Sequence, residues 1–281
     1  MQVIGLKIFI DSSKLDEIQK VKDYGLLNGV TTNPSLIKEA IEEIKSRGGK
    51  VDIREYIKEI LLVSRGVPVS LEVIGTTYND MVEEGTRLFE IFNPVAKNVY
   101  IKIPVNPSME EKSGKDFDGI RAIKSLSDKK IPINSTLIFT PEQALLAAKA
   151  GASFVSPFAG RVDDYIRSAN KIDFKKEDYF PFSGLEKNGE LLEDNGIVSG
   201  VDLVTQIREI FDNYGMTQVK ILAASIRNAR QVREVALAGA DIATLPFNVI
   251  EGLISHYKTR EGMEKFTRDV VPEYKDLLKS E

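Results

Sequence analysis

Lys102 lies in the middle of the apolar run NVYIKIPV (98–105), directly between Ile101 and Ile103. A short run rich in β-branched residues is typical of a strand buried on both faces, where a charged ammonium group is costly. Burial favours the neutral form of a lysine amine, and a neutral amine is a nucleophile toward carbonyl carbons. The first hypothesis for this chain is therefore covalent carbonyl chemistry at Lys102.

Other polar side chains lie near the ends of predicted strands, and seven of the eight strands contribute at least one. Carboxylates can relay protons during Schiff-base formation, and hydroxyl and amide groups can hold a polyhydroxylated substrate. Arginines with a nearby serine can hold a phosphate, because a guanidinium group offers two parallel donors. Together the set suits a sugar phosphate that contains a ketone. Its members are Asp11, Thr31, Asn33, Glu72, Lys102, Asn134, Thr136, Ser156, Arg161, Ser225 and Arg227.

Several of these residues also have a purely structural interpretation. Asn33 precedes Pro34 and can cap the helix that follows. Thr136 and Ser156 can satisfy backbone groups inside a twisted barrel. The two carboxylates can form a buried cluster with the lysine, although desolvation makes such ion pairs poor stabilisers. The two arginines can form surface salt bridges, which contribute little to stability.

Eight short apolar runs alternate with helical segments along the chain, and eight is the number of strands in a (β/α)8 barrel, or TIM barrel. We expect a single α/β barrel domain over residues 1–281, with a C-terminal helical segment at about 249–281. An open doubly wound sheet is the alternative, but no glycine-rich loop follows the first strand. The predicted strands are residues 7–12, 29–33, 67–75, 98–105, 133–139, 154–161, 219–225 and 241–247.

Several helix ends are visible in the sequence. Ser13 precedes the first predicted helix and Gly25 follows it. Thr140 stands before Pro141, a favourable first helical residue, and that helix is expected to end at Gly151. A later helix, NARQVREVALAGA, has the same terminal glycine pattern.

Two polar stretches look like additions to a minimal barrel. Residues 106–119 come after the fourth predicted strand, and the charged, turn-rich residues 168–200 come after the sixth. Loops after barrel strands shape active sites, so both additions are candidates for a role at the site. A surface loop without any role in chemistry is an equally good interpretation of each.

The composition argues against several classes of function. The 281 residues carry a formal net charge of −4 and contain no cysteine. No basic face for nucleic acid is therefore expected, and disulfides and cysteine metal sites are excluded. His256 is the only histidine and falls in a predicted C-terminal helix, which argues against a metal site. The N-terminal residues form a poor signal peptide and no apolar run spans a membrane, so we expect a cytoplasmic protein.

Six segments of the chain resemble the transaldolases, especially the short group that includes fructose-6-phosphate aldolase. The resemblance runs from about residue 7 to about residue 255 and is interrupted by the two additions. GVTTNPS and VSPFAGR are its specific motifs, in combination with a lysine on the fourth strand. The six segments are FIDSS (9–13), GVTTNPSLI (29–37), SLEVIG (70–75), YIKIPV (100–105), INSTLIFTPEQALLAAKAGASFVSPFAGRVDD (133–164) and ILAASIRNARQV (221–232).

The resemblance implies a role for each matching residue. Lys102 corresponds to the Schiff-base lysine, Asp11 to the residue that takes and returns the C4 hydroxyl proton, and Glu72 to an acid. That acid acts through a catalytic water near Thr136. No cofactor or metal is implied, and the partners are sugar phosphates and further copies of the chain in an oligomer. The remaining matches are substrate-binding positions: Thr31, Asn33, Asn134, Ser156 and Phe158 along the substrate chain, and Arg161, Ser225 and Arg227 at the phosphate.

Two positions bear on the type of reaction. The aldolase members of the group carry glutamine in place of Glu72 and tyrosine in place of Phe158. A tyrosine hydroxyl there can help a proton reach the enamine and release free dihydroxyacetone, whereas phenylalanine cannot. The chain is thus expected to be a transaldolase, with an aldolase that releases dihydroxyacetone as the alternative. A non-catalytic barrel that binds sugar phosphates is a remoter one.

Overall fold

The computed structural model describes residues 5–110 and 114–279, and within them eight parallel strands close into a barrel. Strands β7 and β8 form a separate antiparallel hairpin, so the order around the barrel is β1-β10-β9-β6-β5-β4-β3-β2. The barrel strands are β1 (Lys7–Asp11), β2 (Gly29–Thr31), β3 (Val69–Glu72), β4 (Val99–Pro104), β5 (Ile133–Ile138), β6 (Phe154–Pro157), β9 (Lys220–Ala223) and β10 (Ile242–Leu245). The hairpin strands are β7 (Glu186–Lys187) and β8 (Glu190–Leu191). The predicted (β/α)8 barrel is confirmed.

Helices lie between the strands and end the chain. They are α1 (Leu15–Asp23), α2 (Pro34–Ser46), α3 (Ile53–Val63), α4 (Tyr78–Ala96), α5 (Asp118–Asp128), α6 (Pro141–Ala150), α7 (Ala159–Ala169), α8 (Gly200–Asn213), α9 (Ala229–Leu237), α10 (Phe247–Gly252), α11 (Tyr257–Arg268) and α12 (Pro272–Leu277). Across the described residues, no helix has both the length and the apolar character needed to cross a bilayer.

Most of the predicted helix ends are confirmed. Thr140 forms a complete capping box with Gln143, and Gly151 ends α6 in the left-handed conformation. The prediction for the start of α1 was wrong. Ser13 does not cap α1, which begins two residues later because the Ser12 hydroxyl accepts from the backbone N–H of Lys14 and forms a turn there.

The strand predicted over 154–161 was too long. It ends at Pro157, and Ala159 is already the first residue of α7. His256 likewise lies just before its predicted helix: it is exposed and caps α11 by accepting a hydrogen bond from the backbone N–H of Lys258. The ends of strands and helices are the least reliable part of a prediction from sequence.

The strand alternation explains how Lys102 fits into an apolar run. Ile101 and Ile103 belong to the apolar layer between barrel and helices, whereas Lys102 points into the barrel. Two residues earlier, Tyr100 stacks on Phe154 with ring centroids 4.6 Å apart. A strand thus places its apolar plug residue and its polar residue on the same inner face, with the polar one nearer the carboxyl end.

This two-residue offset recurs around the barrel. Inward apolar residues form a plug below the mouth, and a polar residue follows each of them on the same face. On β2 the plug position is a glycine, Gly29. A Cβ there would lie 2.3 Å from the ring of Phe9, so no larger residue fits. The pairs are Phe9 and Asp11, Gly29 and Thr31, Tyr100 and Lys102, Phe154 and Ser156, and Ile242 and Thr244.

The second addition does not leave the barrel directly after β6. Helix α7 comes first, and the chain from 170 to 199, including the β7–β8 hairpin, then leads to α8. A Cβ on Gly200 would lie 2.0 Å from the carbonyl oxygen of Ala159, so α8 begins beside the first turn of α7. The segment therefore returns to the carboxyl end of the barrel. Residues 111–113 of the first addition lie outside the described residues.

Candidate active site

Lys102 lies at the carboxyl end of β4 with only 5% of its surface exposed. Its ammonium nitrogen is 3.0 Å from Glu72 Oε2, and a longer contact of 3.4 Å reaches the backbone oxygen of Thr32. The β3–β4 register sets Glu72 directly beside Lys102, so the ion pair follows from the strand alignment. A buried amine with one carboxylate partner is chemically equipped to attack a carbonyl group.

Asp11 stands at the end of β1 and is held by Thr31, which is itself hydrogen-bonded to Thr244. Thr31 donates its hydroxyl proton to Asp11 Oδ1 at 2.7 Å, and the Thr31 and Thr244 hydroxyl oxygens are 2.5 Å apart. Thr31 pairs with Asp11 in the β1–β2 register, whereas Thr244 comes from β10 on the other side of β1. These bonds fix the orientation of a carboxylate that faces the same cavity as Lys102.

Asn134 points into the barrel interior beside Lys102. It donates to the Ser70 hydroxyl at 3.0 Å and accepts from the Ser156 hydroxyl at 2.7 Å. Thr136 is two residues further along the same strand and therefore faces inward as well. Its hydroxyl is fully buried and has no hydrogen-bond partner among the described residues. A buried hydroxyl of this kind is available to a ligand or a water molecule.

Arg161, Ser225 and Arg227 line one side of the cavity, the arginine side. Arg161 comes from the first turn of α7, and its guanidinium carbon is 5.0 Å from the ring centroid of Phe158. Arg227 pairs with Asp164 at 2.6 Å. Ser225 has a left-handed backbone with φ of 62°, an uncommon conformation that recurs at functional sites.

Hydrogen bonds from buried side chains hold the backbone of the arginine side in place. The backbone N–H of Arg227 donates to Gln231 Oε1, and Gln231 Nε2 donates to Asp163 Oδ2 at 2.7 Å. Asp163 also accepts from the backbone N–H of Gly200. Burial raises the pKa of the Asp163 carboxyl to about 7, although the bond from Gly200 acts in the opposite direction.

A cavity of about 680 Å³ joins these groups. Ten of the twelve predicted site residues line it, and the remaining two, Asn134 and Thr136, are buried next to it. Asn33 also lines the cavity while capping α2, so its structural interpretation holds as well. Arg227 is ion-paired with Asp164, but both side chains are mostly buried, so the pair is not the surface salt bridge of its structural interpretation. Arg161, by contrast, has no carboxylate partner among the described residues.

Sequence reasoning missed several lining residues. Thr244 makes β10 the eighth strand to contribute a polar side chain, and its place two residues after Ile242 is the signal that could have revealed it. Leu137 lines the cavity because a bulge and a φ of 57° interrupt the alternation of β5. Lys176 comes from the second addition, and no described residue of the first addition lines the cavity.

The family model described as transaldolase/fructose-6-phosphate aldolase matches residues 8–279. The chain belongs to this family. A protein named probable transaldolase from Chlorobium phaeobacteroides is 42% identical over 264 residues, covering 94% of this chain and 96% of its own length. A probable transaldolase from Thermoplasma acidophilum is 40% identical over 276 residues, covering 97% of this chain and 100% of its own length. The part of the chain that matches the family model includes both additions.

Proposed function

We propose that the cavity is the active site of a Schiff-base transaldolase of the pentose phosphate pathway. The enzyme transfers a dihydroxyacetone unit from a ketose phosphate, fructose 6-phosphate or sedoheptulose 7-phosphate, to an aldose phosphate. The observation that carries the proposal is the buried Lys102, ion-paired with Glu72 and facing one cavity with Asp11 and two arginines. The relatives named probable transaldolase support the same reaction.

The first half of the reaction cleaves the donor. Lys102 Nζ adds to the ketose carbonyl carbon, and the carbonyl oxygen leaves as water to give a protonated imine. Asp11 takes the proton of the C4 hydroxyl, the C3–C4 bond breaks, and its electrons move toward the iminium nitrogen to form an enamine. The aldose phosphate departs. Thr31 supports this role of Asp11 because it donates to the carboxylate and is itself held by Thr244.

The second half rebuilds a ketose. The enamine carbon attacks the aldehyde carbon of the acceptor, typically erythrose 4-phosphate, and Asp11 returns its proton to the new hydroxyl oxygen. Water then adds to the imine and frees Lys102. We assign proton transfer during imine formation and hydrolysis to Glu72, working through a water bound at the unpartnered Thr136 hydroxyl. The protonated imine is the electron sink, so this route uses no cofactor.

Substrate binding is divided between two sides of the cavity. Asn33, Ser156 and the buried Asn134 are assigned to the hydroxyl groups of the sugar chain. Arg161, Ser225 and Arg227 are assigned to the phosphate, for which guanidinium groups provide paired donors. Phe158 lies between the two sides, with its ring centroid 6.0 Å from Lys102 Nζ. It offers no hydroxyl to protonate the enamine, which favours transfer over release of dihydroxyacetone.

Trapping tests the proposal. The protein is incubated with fructose 6-phosphate, reduced with borohydride and digested, and the adduct is located by peptide mass spectrometry. A three-carbon adduct on Lys102, absent from Lys102→Met, is expected; an adduct on another lysine, or none in folded protein, overturns the assignment. Formation of sedoheptulose 7-phosphate with erythrose 4-phosphate as the acceptor then separates the transferase from an aldolase, which releases dihydroxyacetone instead.

A homo-oligomer in the cytoplasm is part of the same proposal. Helices α11 and α12 bury none of their residues within the described chain, yet Tyr257, Phe266 and Leu277 are 71%, 68% and 81% exposed. Exposed apolar side chains grouped on helices that bury none of their described residues support contact with another copy. Light scattering should give a mass above that of one chain, and Phe266→Glu should lower it.

The sugar phosphate substrates, which are intracellular metabolites, support the cytoplasmic location, and cell fractionation tests it.

A further inference from the structure

Five cationic side chains line the cavity, and three of them already have a carboxylate partner. Lys102 pairs with Glu72, and Arg227 pairs with Asp164. Lys14 pairs with Glu39 and Glu43, with its Nζ 3.1 and 2.9 Å from their carboxylate oxygens. Among the described residues, Arg161 and Lys176 are the lining cations without such a partner.

The net positive charge on the arginine side is smaller than the negative charge of a phosphate monoester. Arg161 and Arg227 carry two positive charges, but Asp164 offsets one of them. A phosphate monoester carries roughly −1.5 to −2 charges near neutral pH. A further positive charge is needed for balance, and Lys176 lines the same cavity without a carboxylate partner among the described residues.

The position of Lys176 is set by its neighbours. It lies in a tight turn in which the Asp178 carboxylate accepts from the backbone N–H of Lys175, and the backbone N–H of Asp178 donates back to the Lys175 carbonyl. Asn228, the residue after Arg227, donates its side-chain amide to the carbonyl oxygen of Glu177. The turn is thus attached to the loop that carries Arg227.

A second set of contacts holds the turn from the other side. The Arg167 guanidinium is buried and donates to the carbonyl oxygens of Asp178 and Tyr179 at 3.2 and 2.7 Å. The Tyr179 hydroxyl donates to Glu234, and the guanidinium carbon of Arg230 lies 3.5 Å from the Tyr179 ring centroid. These contacts fix the backbone beside Lys176 against α7 and α9, the two helices next to the arginine side.

We propose that Lys176, from the addition between α7 and α8, is a third phosphate-binding cation of this site and makes it selective for phosphorylated sugars. The inference rests on the proposed function and extends it, since it assigns a role in substrate selection to a segment outside the minimal barrel. Lys176 touches the phosphate and not the reacting carbons, so it acts on substrate binding rather than on the chemical step.

A charge series tests this role. Lys176→Gln should raise KM for fructose 6-phosphate and erythrose 4-phosphate about three- to tenfold, with kcat nearly unchanged. Lys176→Glu should raise KM further, and Lys176→Arg should restore it. Turnover of unphosphorylated fructose and glyceraldehyde should not change. Lys175→Gln removes the adjacent lysine, which is exposed as Lys176 is but does not line the cavity, and should behave as wild type.

Three results overturn the inference: an unchanged KM in Lys176→Gln, an equal rise in Lys175→Gln, or an equal loss with unphosphorylated substrates. Calorimetric titration with inorganic phosphate gives a readout that does not depend on turnover. Weaker phosphate binding by Lys176→Gln than by wild type supports the role, and equal affinity contradicts it. Absence of any wild-type turnover would instead count against the proposed function, and the titration would still decide the role of Lys176.

Discussion

Asp163 and Gln231 are joined by a buried hydrogen bond of 2.7 Å between Oδ2 and Nε2, behind the arginine side of the cavity. Because Gln231 accepts from the backbone N–H of Arg227 with its other atom, its amide orientation is fixed by both partners. A carboxylate suits this arrangement, since it accepts from Gln231 and Gly200 at once. The site therefore buries a group whose ionised form fits its partners, while burial itself favours the protonated form.

Stability should fall with rising pH through the titration of Asp163. Its folded pKa of about 7 lies above the usual value of 3.8, so the folded state holds the proton more tightly than the unfolded chain. The contribution is complete below about pH 4 and is lost as pH rises to about 7, at up to roughly 4 kcal/mol. Urea unfolding of wild type and Asp163→Asn between pH 4.5 and 7.5 should give curves of different slope. Parallel curves would contradict the raised pKa.

Gly160 controls how closely α7 approaches the arginine side. A Cβ there would lie 2.0 Å from the backbone oxygen of Ser225 and 2.7 Å from Arg227 Nε. Gly160→Ala should therefore displace the β9–α9 loop, lower stability by about 1–3 kcal/mol and raise KM for phosphorylated substrates. Thermal unfolding and steady-state kinetics measure both effects. Gly262→Ala is the control, because a Cβ in that exposed helix meets nothing within 4 Å and should not reduce activity.

The barrel and most of the site could be predicted from the sequence because both depend on the alternation of inward-facing and outward-facing residues along each strand. Each barrel strand is short and mostly apolar, and in five of the eight the polar residue stands two positions after an inward residue of the apolar layer. Thr244 was overlooked because threonine is common in strands for its shape alone, so its single hydroxyl gave no separate signal. Leu137 was missed because a bulge changes which residues face inward.

Lys176 could not be placed from the sequence for a different reason. Its position depends on a segment of about thirty residues folding back along α7, and the contacts that hold it join residues such as Asn228 and Glu177, 51 positions apart. No local pattern specifies a pairing of that range. The nearest sequence signal is Arg167 with Phe174 and Phe180, whose rings each lie 5.0 Å from the guanidinium carbon.

Thr136 should matter for turnover but not for stability. Its hydroxyl is buried without a partner, so Thr136→Val removes an unsatisfied polar group and should leave stability unchanged or slightly higher. If the hydroxyl binds the water used by Glu72, kcat should fall about 10- to 100-fold. Ser135→Ala is a matched control, since its hydroxyl is also buried and unpartnered but belongs to the outward face of β5. Equal activity of the two variants would remove Thr136 from the mechanism.

Glu72 and Phe158 should together decide the fate of the enamine. Glu72→Gln weakens the partner of Lys102 without changing its size, and Phe158→Tyr adds a hydroxyl on a ring that lies 6.0 Å from Lys102 Nζ. The double variant should release free dihydroxyacetone from fructose 6-phosphate at the expense of transfer, because the new hydroxyl can protonate the enamine before an acceptor arrives. Coupled assays of dihydroxyacetone and sedoheptulose 7-phosphate measure the ratio of the two products. Phe139→Tyr is the control, because Phe139 packs on Phe158 with centroids 5.8 Å apart but does not line the cavity, and it should leave the ratio unchanged. If the double variant keeps the wild-type ratio, the choice between transfer and release is made by other residues.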